Sequence, residues 1–312
     1  MFTDFSAIPI FIAVVELGSF SRAAERLNIT KSAVSKRITQ LEQGLGARLL
    51  NRTTRQISLT EAGERYYSHV STALNWAQQG VEAVAELQGE PSGHLRMSVP
   101  MSFGVRHIAP YIAEFVQRYP NVHIDIQFDD QFVDIVAQGL DMAIRIGNME
   151  SSTLVAKRLT RCRTVLCASH DYLQQHGKPQ HPAQLRDHNC LQYSYFRGGQ
   201  SWMFVRGNEQ ESVIPNGNIH VNNSEAIRRM LLSGLGIAQL PTFIAGDYIR
   251  ANTLTTVMPD YQLPEAAVYA VYPERKYLPQ KVRLFIDYLS EKFDPSQPYW
   301  DDAVFSSPHS PE

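Results

Sequence analysis

The 312-residue sequence predicts an α/β protein headed by a small helical module. Three observations carry this expectation. Apolar residues recur at spacings of three and four from Phe5 to Leu45, the signature of amphipathic helices. A single helical pattern then runs without proline from Thr60 to about Leu87. From Leu95 onward, short strand-like runs alternate with helical stretches, which predicts βαβ units and a parallel sheet.

Composition narrows the function classes. The chain is 44% hydrophobic and 19% charged, which excludes a mainly disordered chain, a collagen-like chain and a disulfide-dense miniprotein. Cys162, Cys167 and Cys190 are too few and too irregular for a disulfide framework or a Cys-rich zinc site, and they fit a reducing, cytoplasmic location. No stretch approaches 18 consecutive apolar residues, so no membrane span is expected. Met1–Gly18 carries Asp4 and Glu16 and lacks a basic start, so it reads as a helix rather than a signal peptide. The formal charge of −2 speaks against a polyanion partner, but it is an average over unlike parts. Residues 20–65 hold nine Lys/Arg against four acids, whereas residues 90–312 hold 20 basic and 23 acidic side chains.

The helical module reads element by element. Phe5, Ile8, Phe11, Ile12 and Val15 form one helix face, closed by Gly18. Ser21 is the expected N-cap of a short second helix carrying Ala23, Ala24 and Leu27, which Asn28 breaks. Thr30 caps a third helix with the stripe Val34, Ile38, Leu41 and Leu45. Two such helices joined by three or four residues make a helix-turn-helix pattern. Leu49–Leu59 alternates around an Arg-Thr-Thr-Arg tip and predicts a small hairpin, or wing. Thr60 caps the long helix, which would extend roughly 40 Å to Leu87 at the usual rise per residue. Along it Val70, Ala77 and Val84 fall seven apart, as do Tyr66, Ala73, Gly80 and Leu87. The two rows make an a/d seam that calls for a partner helix. Burial against the same chain's wing module is the competing explanation.

Gln88–Gly93 is a linker by composition. Beyond it, strands are expected at 95–99, 123–128, 142–146, 164–168, 190–193, 203–205, 237–240 and 267–272. Helices are expected at 105–118, 132–138, 224–233 and 279–292. The prolines at 295, 298, 308 and 311 predict a loosely attached tail after Phe293.

The basic segment carries a specific chemistry. Lys31, Ser32, Ser35 and Lys36 lie on one side at the start of the third helix, where side-chain donors can reach base edges. Ser21, Arg37, Arg52, Thr53 and Arg55 suit phosphate or minor-groove contacts, which position a domain without reading sequence. A solvated basic face is the bland alternative, and the order of turn, capped helix and Arg-bearing hairpin argues against it.

Phe20-Ser21-Arg22-Ala23-Ala24-Glu25-Arg26-Leu27, Thr30-Lys31-Ser32-Ala33-Val34-Ser35-Lys36-Arg37-Ile38, Leu41-Glu42, Leu45-Gly46-Ala47-Arg48-Leu49-Leu50, Arg52-Thr53 and Leu59-Thr60-Glu61-Ala62-Gly63 together resemble the winged helix-turn-helix of LysR-type transcriptional regulators. The resemblance implies a linker helix followed by a two-lobed effector domain similar to periplasmic binding proteins. The implied divisions are a DNA-binding domain at 1–59, a dimerisation helix at 60–88, an effector domain at 89–293 and a tail at 294–312. Lobe I would span about 94–163 and 266–293, and lobe II about 164–265. Lys31, Ser32 and Ser35 take the base-facing positions by resemblance. The implied partners are double-stranded DNA and a second copy of the chain, as homodimer or homotetramer, with RNA polymerase a further candidate. Tyr66, Val70, Ala73, Ala77, Val84 and Leu87 are the seam residues of the expected dimer.

In the C-terminal half, the end of a strand that feeds a helix is the default ligand site. Val99-Pro100-Met101-Ser102-Phe103-Gly104 is the first such turn, and its free N–H groups suit a carboxylate or another anion. Asn223 and Ser224 begin a second helix that, in the resembled fold, faces the first across a cleft. Arg145 could supply the charge for an acid. The competing explanations are N-caps for Ser102, Asn223 and Ser224, and an ion pair of Arg145 with Asp141 or Glu150. Phe103, Phe196 and Trp202 would wall the pocket or pack in the core. No cofactor and no metal is expected. His176, His181, His188 and Cys190 are irregularly spaced, and Cys162 with Cys167 lacks a redox motif. Gly234-Leu235-Gly236 precedes a strand rather than following one, so it is no dinucleotide fingerprint. With no acid–base or nucleophile constellation, the expectation is a regulator, not an enzyme. A transport-type binding protein with oligomerising N-terminal helices is the runner-up.

Overall fold

The computed structural model describes residues 5–52, 57–86, 91–149, 154–195, 201–274 and 278–305. They form two compact units, one of residues 1–90 with 134–140, the other of 91–133 with 141–312.

In the first unit a 3₁₀ turn leads into α1 (Ile8–Leu17), α2 (Phe20–Arg26) and α3 (Lys31–Leu45). The cap of α2 is Ser19, not Ser21: Ser19 has the extended backbone a cap needs, and its hydroxyl accepts from the Arg22 amide at 3.3 Å. Ser21 is already helical and exposed. Thr30 caps α3 as expected, accepting from the Ala33 amide at 3.2 Å. Gly46 ends α3 with φ +65°, a conformation glycine adopts without strain. Phe11, Val34 and Ile38 are fully buried and Leu49 is nearly so, which locks the three helices to the wing.

The wing pairs β1 (Leu50–Arg52) antiparallel with β2 (Ile57–Leu59). Its tip, including Thr53 and Arg55, lies outside the described residues. α4 (Glu61–Glu86) follows directly, and the Thr60 hydroxyl caps it by accepting from the Gly63 amide at 3.0 Å. A Cβ on Gly63 would sit 2.0 Å from the Leu49 carbonyl oxygen, so only glycine lets α4 approach the wing this closely.

The second unit holds two five-stranded sheets. Its elements are β3 (Gly93–Val99), α5 (Met101–Phe103), a π-helical turn at Gly104–Ile108, α6 (Ala109–Arg118), β4 (Val122–Phe128), β5 (Met142–Gly147), β6 (Leu154–Cys162), β7 (Thr164–Ala168), α7 (His170–His176) and β8 (Cys190–Tyr193). They continue with β9 (Trp202–Arg206), β10 (Glu209–Val213), β11 (His220–Val221), α8 (Ser224–Leu232), β12 (Ile237–Pro241), α9 (Thr242–Arg250), β13 (Thr255–Thr256), β14 (Ala266–Pro273), α10 (Gln280–Lys292) and α11 (Asp302–Phe305). The sheet orders are β4-β3-β5-β14-β6 and β11-β8-β12-β7-β13, with β9 and β10 as a separate hairpin.

The sheets are mixed, which corrects the parallel expectation. β3 runs parallel to β4 and β5, but β14 is antiparallel to β5 and β6, and β7 is antiparallel to β12 and β13. The cause is connectivity. The chain passes from the first sheet to the second through Arg163 alone, and it returns through residues 257–265 to lay β14 inside the first sheet.

Three further expectations need correction. Residues 132–138 are a turn, not a helix. The Asp134 carboxylate accepts from the amides of Val136 and Ala137, and Gly139 at φ +64° reverses the chain after one turn. The helix expected from Val105 begins at Met101 and absorbs a π-helical turn. The described part of the tail, residues 294–305, is docked rather than loose: Trp300 is 6% exposed within the main apolar core, and Asp301 is 3% exposed.

A charged pair lies beneath the first sheet. The Lys281 ammonium is 3.6 Å from Asp141, and both side chains are almost fully buried. Lys281 also donates to the His94 carbonyl at 2.5 Å, and Asp141 accepts from the Arg96 amide at 3.0 Å. These bonds offset the desolvation of both charges.

Candidate DNA-binding and effector sites

The helix-turn-helix presents its polar residues over a fully apolar base. Val34 and Ile38 are 0% exposed beneath α3, which holds Lys31, Ser32 and Lys36 out into solvent and leaves Ser35 half-buried beside them. Ser32 shares a 3.0 Å hydrogen bond with the cap Thr30, so its hydroxyl is oriented before any ligand arrives. Arg37 donates to the Ser6 hydroxyl at 2.9 Å, which ties it to the 3₁₀ turn ahead of α1. Arg52 ends β1 at the mouth of the wing.

A residue that sequence reasoning missed is Glu42. One of its carboxylate oxygens accepts from the amides of Leu49 at 2.9 Å and Leu50 at 3.2 Å, joining α3 to the wing. Thr60 holds the same segment from the other side by donating to the Arg48 carbonyl at 2.7 Å. An acid inside a basic segment was the available signal.

The seam on α4 divides in two. Tyr66 is half-buried and packs edge-on against Phe11 at 5.4 Å, and Val70 is 7% exposed in the core of the module. At these two positions the packing is that of the competing explanation, against the wing module of the same chain. Ala73 and Ala77 are exposed, as is Val84 at 61%, and Leu87 lies outside the described residues. Trp76 and Val81 add to the exposed apolar surface of α4.

At the expected effector turn, Ser102 is buried, and its hydroxyl has no hydrogen-bond partner among the described residues. It is not an N-cap, because Pro100 occupies that position. The Met101 amide donates to Asp130 at 2.9 Å, so a protein carboxylate already takes one of the N–H groups expected to meet an anion. Burial raises the Asp130 pKa above the usual aspartate value, and the Tyr193 hydroxyl bonds to it from the second sheet. Tyr195 receives hydrogen bonds from Gln131 at 3.2 Å and Asn222 at 3.3 Å, again from opposite lobes. Arg106 pairs with Glu225 at 2.5 Å, and Arg228 pairs with the same carboxylate at 2.8 Å. Burial opposes ionisation of Glu225, but the two guanidinium groups hold its pKa below the usual glutamate value.

The other predicted residues fall as follows. Asn223 caps α8, accepting from the Ala226 amide at 3.0 Å, which is the plain structural role. Ser224 opens that helix and is half-buried. Phe103 is 0% exposed and packs edge-on with Phe243 at 5.3 Å, so it belongs to the core and not to a pocket wall. Trp202 is likewise core, and Phe196 lies outside the described residues. Arg145 is buried, donates to the Ser98 hydroxyl at 3.2 Å and lies under the Phe132 ring at 5.2 Å. Its expected partner Asp141 is engaged with Lys281, and Glu150 lies outside the described residues.

The buried cysteines are free, and burial pushes the thiols of Cys162 and Cys167 up to about 12, far from a reactive thiolate. His181 caps the 3₁₀ turn at Pro182–Asp187, and His188 shares a 3.2 Å hydrogen bond with Tyr172. No group of three or more metal-ligating side chains occurs among the described residues, and no helix there is long and apolar enough to cross a membrane.

This arrangement has known counterparts. Residues 5–64 match the model of the lysR-family bacterial regulatory helix-turn-helix protein, and residues 88–294 match that of the LysR substrate binding domain. The chain belongs to the LysR family. An uncharacterized HTH-type transcriptional regulator of Haemophilus influenzae is 37% identical over 89% of this chain and 96% of its own. The HTH-type transcriptional regulator PtxR of Pseudomonas aeruginosa is 36% identical over 90% of each. The solved structure of CrgA, a LysR-type transcriptional regulator from Neisseria meningitidis, covers 92% of this chain and 98% of its own, with 31% identity and a TM-score of 0.59. This LysR-type protein is therefore a DNA-binding transcriptional regulator with a small-molecule effector domain, and not an enzyme. LysR-type regulators bind DNA through the helix-turn-helix and form oligomers.

Proposed function

We propose that the N-terminal end of α3 reads operator DNA through Lys31, Ser32 and Ser35. Lys36, beside them on the helix, contacts the phosphate backbone, and Arg37, Ser21, Arg52, Thr53 and Arg55 contact phosphate or the minor groove. The observation that carries this reading is the exposed row at the start of α3, held outward by Val34 and Ile38 at 0% exposure. The functional divisions are DNA binding at 1–59, pairing at 60–88, effector binding at 89–293 and a tail at 294–312. Ala73, Ala77, Val84 and Leu87 meet a second copy of α4, giving a homodimer or, by pairing of dimers, a homotetramer. Sedimentation of the full chain at micromolar concentration tests this, and a clean monomer overturns it.

The effector is a small acid or other anion held in the cleft by Ser102, Arg145, Asn223 and Ser224. Its support is the Ser102 hydroxyl, buried and without a partner among the described residues, and the buried Arg145 guanidinium. Asp130 is the group such an anion must displace from the Met101 amide, so the acid binds more tightly where Asp130 is protonated. Effector binding in the cleft shifts the two lobes and so favours one quaternary arrangement over another, and that differential affinity is what changes transcription. The regulator acts in the cytoplasm and contacts RNA polymerase at the promoter. An electrophoretic shift with upstream genomic DNA, repeated with Lys31→Ala and Ser35→Ala, tests the first part. Thermal stabilisation by a panel of small acids, lost in Ser102→Ala, tests the second.

A further inference from the structure

The two lobes are joined by only two crossings, Arg163 and residues 257–265. Both crossings carry charge, and the first of them, Arg163, meets the segment Asp294–Phe305 directly. Arg163 is 3.6 Å from Glu265 on the return crossing and 3.6 Å from the Asp301 carboxylate. Asp301 accepts from the Thr242 hydroxyl at 2.6 Å, at the start of α9 in lobe II. The Thr242 amide in turn donates to the Arg163 carbonyl at 2.9 Å. The Phe305 ring covers the Arg163 guanidinium at 4.5 Å. At the other end of the segment, the Asp294 carbonyl accepts from Thr160 of lobe I at 2.6 Å.

The apolar side of the segment also reaches both lobes. The Trp300 ring lies 5.8 Å from Phe103 of lobe I and 6.2 Å from Phe243 of lobe II. It lies 4.5 Å from His107, which bonds through Nδ1 to the Tyr299 hydroxyl at 2.5 Å. A segment serving only to cover one lobe needs no bonds to the second lobe and none to the Arg163 crossing. We infer that Asp294–Phe305 is a clasp that fixes the angle between the lobes, with Asp301 as its positioning residue and Trp300 as its anchor. This rests on the reading that the lobes shift when the regulator responds. A clasp on the hinge sets how far they shift, because rotation at Arg163 breaks the Asp301 contacts on one side of the crossing before the other.

The test uses the full chain without any effector, so it stands apart from whether the cleft binds an acid. Spin labels are placed at Gln117→Cys in lobe I and Arg229→Cys in lobe II, both exposed positions, since the three native thiols are buried. Pulsed dipolar spectroscopy then reads the distance between lobes. One narrow distance is expected in the parent protein, and a second, longer one in Asp301→Ala and Trp300→Ala. Asp301→Asn keeps an acceptor for Thr242 but loses the charge opposite Arg163, so its second population is smaller than that of Asp301→Ala. Asp301→Asn also carries the test if Trp300→Ala fails to fold. An unchanged single distance in folded Asp301→Ala and Asp301→Asn overturns the inference.

Discussion

The winged module and the effector domain of this regulator handle charge in opposite ways. In the module, Lys31 and Lys36 stand in solvent above an apolar stripe, and the structure serves to aim them outward. In the effector domain, Asp141, Arg145, Lys281 and Asp301 are each less than 5% exposed and are held by bonds from distant parts of the chain. A polyanion is met by charges displayed on a surface, whereas a small molecule is enclosed by groups already taken out of water, as Arg145 is. Asp141, Lys281 and Asp301 instead tie distant parts of the effector domain together.

The sharpest way to break this comparison is to remove one member of a buried pair. Asp141→Ala leaves the Lys281 ammonium buried without its carboxylate, and it is expected to destabilise the effector domain by about 3–5 kcal/mol. Denaturant unfolding should show this loss in the effector-domain transition and not in that of the winged module. A comparable change at exposed Lys31 or Lys36 should leave both transitions within about 0.5 kcal/mol of the parent.

A pH titration reaches the next effect. Burial pushes His107 down to about 4, so the folded state resists protonation while the unfolded state accepts a proton near the ordinary histidine value of 6.5. The effector domain therefore keeps its stability above that value and loses it as pH falls from 6.5 towards 4, by up to about 3 kcal/mol. His107→Gln should flatten that part of the stability profile. In the winged module, Gly63→Ala drives a methyl into the Leu49 carbonyl, and a loss of about 1–3 kcal/mol is expected by thermal melting of that unit. Thr30→Ala removes the cap of α3 and should lower stability by about 1 kcal/mol.

The same contrast decides what could be read from the sequence. The module is built from local signals: Thr30 and Gly46 mark the ends of α3, and Val34, Ile38 and Leu41 mark its buried face. Even its one local error is small, with the cap at Ser19 instead of Ser21. The effector domain is held by contacts far apart in the chain, and these left no periodic trace. Asp141 meets Lys281 across 140 positions, and Asp130 reaches the Met101 amide from the following strand end. Phe132–Gln138 has helical spacing, but Asp134 and Gly139 turn it. The prolines of the tail signalled looseness, whereas Trp300 alone supplies enough apolar surface to dock residues 294–305.

The central claim is that the start of α3, with the wing, carries the contacts to DNA. The measurement that tests it most directly is operator affinity of the full regulator as a function of salt, compared with Lys31→Ala and Lys36→Ala. If the account holds, affinity falls as salt rises, and removing a phosphate-contacting lysine lowers the slope of log affinity against log salt by about one. Lys36→Ala should show that change on any sequence, while Lys31→Ala should mainly narrow the gap between operator and unrelated DNA. Unchanged slope and unchanged discrimination in both variants would contradict it.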